Sequence, residues 1–221
     1  MEEYSKIETL FDRDPKTFKV LEDKIRLKEF LMIQKWRITE KIDGTNVRIC
    51  YKNGSVEING RTENAQMPTF LFNHLKELFT VEKFKQAFPD LKEGMEVVLY
   101  GEGYGPRIQK GGGNYRKDVS LRLFDVKIDK WWLEPDNIES IAEKFGVKTV
   151  PTIGDMTIEE AVAYVKSCPQ SIVSMHEYEG STLESGKYPP MEGIVARTVP
   201  LLLIRSGERL MWKLKRKDFK L

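Results

Sequence analysis

The sequence predicts an α+β fold, antiparallel-sheet-rich with flanking helices, and three observations predict it. Runs of period-two alternation recur along the chain, and separate stretches place apolar residues at helical spacing. Tight-turn signals such as Asn53-Gly54 join neighbouring alternating runs directly, which makes hairpins rather than helical crossovers.

The elements follow in order. Trp36 to Glu40 reads as a strand that enters a hairpin: Val47, Ile49 and Tyr51 alternate with polar residues, Asn53-Gly54 turns the chain, and Val56 and Ile58 resume the alternation. Phe70, Leu71, His74, Leu75 and Leu78 recur at helical spacing, and Phe84 and Phe88 continue the pattern to Pro89, as one broken helix or two short ones. Met95 to Tyr100 reads as a buried strand, and Leu121, Leu123 and the stretch through Ile128 as another, with a long Gly-rich loop between them. Asp136 can cap a helix ending before Gly146, while Thr157 and Glu160 make the Ser/Thr-x-x-Glu capping box of a second helix; both are expected on one sheet face. Ile194 to Thr198, Leu201 to Arg205 and Leu210 to Leu214 read as strands, the last two joined at Ser206-Gly207.

Composition excludes several classes. With 36 Lys+Arg against 34 Asp+Glu the formal net charge is +2, so charge alone names no partner. At 221 residues and 40% hydrophobic content, with no Pro/Ser-rich linker or repeat, the chain reads as a single domain, residues 1–221. A chain of this size buries roughly 70% of its unfolded surface and needs no disulfide help. Cys50 and Cys168 lie too far apart in sequence for a staple framework and are too few for a four-cysteine zinc site, which points to a reducing compartment. The longest strongly apolar run, Val199 to Ile204, is interrupted by Pro200 and far short of the roughly 20 residues a bilayer needs. Met1-Glu2-Glu3-Tyr4-Ser5 has no basic-then-apolar signal pattern. The expected location is the cytoplasm, with no membrane association.

The chemistry centres on Lys41-Ile42-Asp43-Gly44, where a strand ends and a turn begins. A lysine amine becomes a nucleophile only when desolvation or neighbouring positive charge favours its neutral form. Alone the string is weak, since a surface lysine before an Asp-Gly turn arises by chance in roughly one chain in ten to twenty. Downstream, however, come Gly60-Arg61-Thr62-Glu63, Leu99-Tyr100-Gly101-Glu102-Gly103, Leu123-Phe124-Asp125-Val126, Glu192-Gly193-Ile194-Val195 and Trp212-Lys213-Leu214-Lys215. In that order they resemble the motif series of the covalent lysine-nucleotidyltransferases, the polynucleotide ligases and mRNA capping enzymes. The resemblance spans residues 40–215, and independent coincidences in six ordered motifs multiply. Thr45-Asn46 after the Asp-Gly pair is similar to RNA ligases, whereas DNA ligases and capping enzymes usually carry Arg where Asn46 stands.

The resemblance implies an antiparallel-sheet-rich nucleotidyltransferase (ATP-grasp-like ligase) domain that acts as an ATP-dependent RNA ligase of the nick-sealing kind. The cofactors implied are ATP, as AMP carried on Lys41, and Mg²⁺ or Mn²⁺. The implied partner is RNA with 3′-hydroxyl and 5′-phosphate ends in a nicked duplex, bound by a monomer. Family members usually continue beyond the paired-lysine motif into an appended C-terminal domain, whereas this sequence stops six residues after Lys215, so a catalytic domain alone is expected.

Site residues follow one by one. The resemblance implies that Lys41 is the nucleophile. Lys213 and Lys215 have period-two spacing, so on a strand both ammonium groups point to one face, suited to an α-phosphate and to keeping Lys41 neutral. By resemblance Glu192 is the metal-associated glutamate, and Glu102 contacts the ribose or the metal shell. Asp43, Glu102 and Glu192 would hold Mg²⁺ largely through water, because that ion keeps several waters and uses few carboxylates. Phe124 stacks on one face of the adenine and Val195 covers the other, although an alternating Phe of this kind usually packs in a core. The resemblance further implies that Glu40 would read the adenine edge and favour ATP over GTP, Arg61 would contact nucleotide and RNA, and Asn46 would help position the 3′-hydroxyl end.

Other features stay open. The loop Gly101 to Lys117, with Gly111-Gly112-Gly113-Asn114 and the bases Arg107, Lys110, Arg116 and Lys117, lacks a P-loop ending and reads equally as a mobile RNA-phosphate contact or a flexible surface loop. Residues 211–221 carry Lys213, Lys215, Arg216, Lys217 and Lys220 against Asp218, a local positive excess for RNA. Of Trp131-Trp132 one ring is expected to face a core. His74 and His176 have no metal-ligand partner at useful spacing. A DNA nick ligase, a capping guanylyltransferase and a catalytically silent RNA-binding module remain as competing readings.

Overall fold

The computed structural model describes residues 3–62, 65–178 and 188–219. The chain opens with β1 (Glu8–Thr9), a short hairpin of β2 (Phe11–Arg13) and β3 (Val20–Ile25), and β4 (Trp36–Lys41). The hairpin expected next is β5 (Thr45–Lys52) with β6 (Ser55–Asn59). At its turn Asn53 and Gly54 take φ of 49° and 75°, the left-handed pair that a type I′ turn requires. The apolar helical stretch divides at Thr80 into α1 (Thr69–Leu78) and α2 (Val81–Ala87). Then come β7 (Glu96–Tyr104), β8 (Ser120–Ile128), β9 (Trp131–Trp132), α3 (Pro135–Phe145) and β10 (Lys148–Thr149). β11 (Thr152–Met156), α4 (Ile158–Lys166), α5 (Ile172–Glu177), β12 (Gly193–Arg197) and β13 (Met211–Lys215) complete the order.

These elements form two compact units, Met1–Tyr4 with Asp43–Val150 and Ser5–Ile42 with Pro151–Leu221. The first is built on a sheet ordered β10-β8-β7-β5-β6, with β9 added beside β8. Its strands are antiparallel except for the β8–β10 pair. Val47, Ile49, Leu99, Leu121, Leu123 and Val126 turn one sheet face toward Leu71, Leu75, Phe84, Ile141 and Phe145 of α1, α2 and α3, and this apolar layer is the core of the unit. Glycine at 101 is required here, since a Cβ would meet the Arg122 carbonyl oxygen at 2.8 Å, and a Cβ at Gly103 would press on the Leu71 side chain at 2.7 Å. The second unit is a five-stranded sheet ordered β1-β13-β12-β4-β11, parallel only at β1–β13, with β2–β3 as a separate ribbon. Trp36, Ile38, Ile194, Ala196, Trp212 and Leu214 pack with Ala161 and Val165 of α4 as its core.

Several elements differ from expectation for identifiable reasons. Leu201 to Arg205 is no strand: a single bridge pairs Leu203 with Arg209, and Leu202 and Leu203 are exposed, so no buried face rewards regular pairing there. α3 begins at Pro135 after Glu134, one residue ahead of Asp136, because proline is pre-organised for the first helical position. α3 and α4 cover different sheets, in different units, instead of one face. β7 runs on through Tyr104, so the Gly-rich loop starts later than expected. Trp132 packs against Tyr100 at a centroid separation of 5.4 Å while Trp131 stays exposed, as adjacent strand residues must. Among the described residues no helix is long and apolar enough to cross a membrane.

Two consequences can be measured. The α4 capping box is complete, with Thr157 Oγ1 accepting from Glu160 N–H at 3.2 Å and Glu160 Oε2 from Thr157 N–H at 2.8 Å. Thr157→Ala should therefore lower unfolding free energy by about 1 kcal/mol in urea titration, with an unchanged m-value. Burial, with the Glu96 charge beside it, pushes the Cys50 thiol up to about 12, whereas Cys168 is exposed. A disulfide-exchange reagent at pH 8 should modify one thiol in the native protein, Cys168, and reach Cys50 only after denaturation.

Candidate active site

Alternation along β4 decides which side chains can act together. Trp36 and Ile38 face the core of the second unit, so Glu40 faces it too, and Arg37, Thr39 and Lys41 project from the opposite side. Ile194 and Ala196 on β12 and Trp212 and Leu214 on β13 are likewise core residues, which leaves Gly193, Val195, Lys213 and Lys215 on the side of Lys41. The register aligns Lys41, Gly193 and Lys215 as one row across β4, β12 and β13, and Thr39, Val195 and Lys213 as the next.

The middle of the first row has no side chain, and none would fit, because a Cβ on Gly193 would collide with the Leu214 carbonyl oxygen. The preceding residue, Glu192, supplies the carboxylate that joins the two lysines. Its Oε2 accepts from Lys41 Nζ at 2.6 Å and its Oε1 from Lys215 Nζ at 2.6 Å, with all three side chains largely sheltered from water. Lys41 Nζ also donates to the Ile42 carbonyl at 3.3 Å. Two ammonium groups on one carboxylate leave a net positive charge on this face, with Lys213 one row away. Such a cluster suits a phosphate ester, and its charge-assisted hydrogen bonds hold both lysines in fixed positions.

Glu40 belongs to the other side of β4. It is 1% exposed and lies on the face opposite Lys41. Its Oε1 accepts from Ser171 Oγ at 2.5 Å and its Oε2 from the Val173 N–H at 3.0 Å, while Ser171 Oγ accepts from Ser174 N–H at 3.1 Å. The carboxylate thus ties the start of α5 to β4 immediately beside Lys41. Burial, and secondarily the Glu40 charge, raises the pKa of the Tyr164 hydroxyl.

In the first unit the sheet face opposite the apolar core carries other expected residues. Asn46, Glu102 and Arg122 form one row across β5, β7 and β8, and Arg48, Tyr100 and Asp125 another. Asn46 Oδ1 is buried and accepts no hydrogen bond from the described residues. Phe124 is the extra residue of a β-bulge, since Tyr100 pairs with Asp125 and Gly101 with Leu123. The bulge releases Phe124 from the core alternation that Leu121 and Leu123 obey and leaves it half-buried. Tyr4 packs edge-on against it at 5.0 Å, lies 5.0 Å from the Tyr100 ring, and donates its hydroxyl to buried Asp125. Arg61 is exposed just after Gly60, whose carbonyl accepts from Arg48 Nε at 2.8 Å; Glu63 lies outside the described residues, as does Lys220 of the basic tail.

The Gly-rich loop proves to be anchored. The Asp43 N–H donates to the Tyr115 hydroxyl at 3.3 Å and Gln109 Nε2 to the Gly44 carbonyl at 3.0 Å, so the loop grips the turn that follows Lys41 in sequence. Arg107 stacks over the Phe70 ring at 4.6 Å and Arg116 Nε pairs with Asp118 at 2.6 Å, which commits two of its four bases internally. Among the described residues no group of three His, Cys, Asp or Glu side chains is placed to hold a metal ion. Ser171, Tyr4, Gln109 and Tyr115 carry no motif signal in the sequence. Arg48 and Arg122 did offer one, as charged residues in the middle of apolar-alternating strands.

Solved structures share this architecture. A substituted form of the Naegleria gruberi RNA ligase, solved with ATP and Mn, aligns over 97% of this chain and 59% of its own at TM-score 0.60 and 17% identity. The same organism's RNA ligase with PPi aligns over 98% and 62% at TM-score 0.57 and 20% identity. An archaeal ATP-dependent RNA ligase aligns over 99% and 49% at TM-score 0.59 and 19% identity. The chain thus spans about half to three-fifths of these relatives, and at such identities the likeness is one of fold: the α+β architecture of ATP-dependent RNA ligases. A model of the RNA ligase family matches residues 34–215, and the chain belongs to that family. No curated protein matches it.

Ser171→Ala would strip a donor from the buried Glu40 carboxylate. Equilibrium unfolding should show a loss of about 2 kcal/mol, the scale of a hydrogen bond to a charged group.

Proposed function

We propose that the chain is an ATP-dependent RNA ligase that joins RNA 3′-hydroxyl and 5′-phosphate ends through a lysyl-AMP intermediate, as one adenylyltransferase domain. The observation that carries this reading is the Lys41–Glu192–Lys215 row, in which three motifs distant in sequence meet on adjacent strands. Family membership supports it, as do the ATP and Mn that accompany one of the structural relatives.

In the proposed sequence the neutral amine of Lys41 attacks the α-phosphorus of ATP and the bond to pyrophosphate breaks. Lys215 and Lys213 face the negative charge that builds on the α-phosphate oxygens, where fixed cations act most strongly. The phosphoramidate then yields its AMP to an RNA 5′-phosphate. A 3′-hydroxyl displaces AMP from that adenylate, forming the phosphodiester. Asn46 suits the last step, because its buried Oδ1, which has no partner among the described residues, can accept from a ribose hydroxyl. Phe124 and Val195 are the residues to which the family resemblance assigns adenine contacts; Phe124 is half-buried on its bulge, and Val195 lies in the row next to Lys41. Arg61 and Glu102 keep the nucleotide contacts that the family resemblance implies.

Both oxygens of Glu192 are occupied by ammonium groups, which fits a divalent ion that keeps its own water shell better than one ligated directly. Glu192, Asp43 and Glu102 are the acids assigned to Mg²⁺ or Mn²⁺, which when bound would neutralise phosphate charge. Glu40, whose carboxylate also holds the start of α5, is the residue assigned to the adenine edge and to the choice of ATP over GTP.

The test is incubation with Mg²⁺ and ATP labelled at the α-phosphate, followed by denaturing electrophoresis. A stable AMP adduct should form, vanish in Lys41→Ala and fall at least a hundredfold in Lys215→Ala, while labelled GTP gives none. An adduct that persists in Lys41→Ala would sink the assignment. Joining assays with RNA and DNA 3′-hydroxyl strands on one template then separate RNA from DNA ligation.

A further inference from the structure

The tip of the β2–β3 ribbon presents an aromatic ring to solvent at a cost in backbone strain. Phe18 is 71% exposed and sits at φ 57°, in the left-handed region that a bulky side chain rarely adopts. The surrounding turn holds it there. Phe18 N–H donates to the Asp14 carbonyl at 2.9 Å, and Asp14 N–H to the Lys19 carbonyl at 2.8 Å. Asp14 Oδ1 accepts from Thr17 N–H at 2.7 Å, Lys16 N–H at 3.0 Å and Thr17 Oγ1 at 3.0 Å, bonds that keep its carboxyl below the usual carboxylate range. Arg13 braces the tip by donating from Nη1 to the Phe18 carbonyl at 3.0 Å and from Nη2 to Asp218 at 2.5 Å.

A strained conformation persists only where its surroundings over-determine it, and glycine at this position would remove the strain. The ring buries little apolar surface in its own unit, so packing does not explain the choice of Phe. Lys16 and Lys19 flank it, both exposed, and give the tip the cationic surroundings of a polyanion contact. A pre-positioned aromatic between two lysines is the combination that stacks a base and holds the phosphates beside it.

We infer that the Phe18 tip, with Lys16 and Lys19, is an RNA contact in which Phe18 stacks on an unpaired or terminal base and the lysines meet the adjoining phosphates. It names a substrate contact outside the Lys41 row and rests on the RNA-joining reading only for its partner.

The test measures the full chain binding a short fluorescein-labelled RNA strand by anisotropy, with urea unfolding alongside. Phe18→Gly should weaken RNA binding about tenfold while its urea midpoint stays level or rises, and Phe18→Trp should restore affinity. Replacing Lys16 and Lys19 together by Gln should reduce the slope of log affinity against log salt by about 1 to 2. Wild-type RNA affinity in Phe18→Gly overturns the proposal, and a changed sedimentation coefficient at unchanged RNA affinity would assign the ring to self-association instead. Adduct formation from labelled ATP uses no RNA. A wild-type chain that binds RNA through Phe18 yet forms no adduct therefore defeats only the ligase reading.

Discussion

A single carboxylate organises the chemistry of the second unit. Glu192 sits at the end of β12 beside a glycine, and its two oxygens take one ammonium group from each neighbouring strand. Like charges so close would repel, so the shared anion is what lets Lys41 and Lys215 occupy one row. Gly193 makes the arrangement possible, since β12 and β13 approach closely enough that any Cβ would strike the Leu214 carbonyl. The same face continues with Thr39, Val195 and Lys213, which sets one apolar side chain, Val195, beside the cationic groups. That is the polarity a nucleotide has, base at one end and phosphate at the other.

Behind that face the structure commits charge to positioning. Glu40 is fully buried one residue from Lys41 and exchanges its solvation for Ser171 and the first turn of α5. Arg122 in the first unit is similarly buried, with Nε donating to the Tyr104 hydroxyl at 3.2 Å and Nη1 to the Thr149 carbonyl at 2.9 Å. Buried ions of this kind add little net stability, and losing one partner is costly. Their effect is to hold strands and loop starts in one geometry. The loop anchored through Gln109 and Tyr115 does the same for Asp43 and Gly44.

Much of this was legible in the sequence. Period two in Lys213-x-Lys215 placed both lysines on one face, the Asn53-Gly54 turn located its hairpin, and Thr157 with Glu160 located α4, because each depends on residues within a few positions of one another. The six ordered motifs pointed to the RNA ligase family to which the chain belongs. Alternation sends Glu40 and Lys41 to opposite faces of β4, so the contacts of Glu40 with Ser171 and α5 could not be read from its place beside Lys41. The strand expected over Leu201 to Arg205 failed because apolar composition was taken for a buried face that the tertiary structure does not provide.

The sequence by itself determined residue chemistry and local periodicity: which lysines and acids exist, which of them share a strand face, and where turns and caps must fall. Only the tertiary structure decided which distant groups meet. That Glu192 bridges Lys41 and Lys215, that Ser171 engages Glu40, and that Tyr4 caps the Phe124 bulge all depend on strand order and register. Those are set by the collective burial of two apolar cores, and no short window of sequence encodes them.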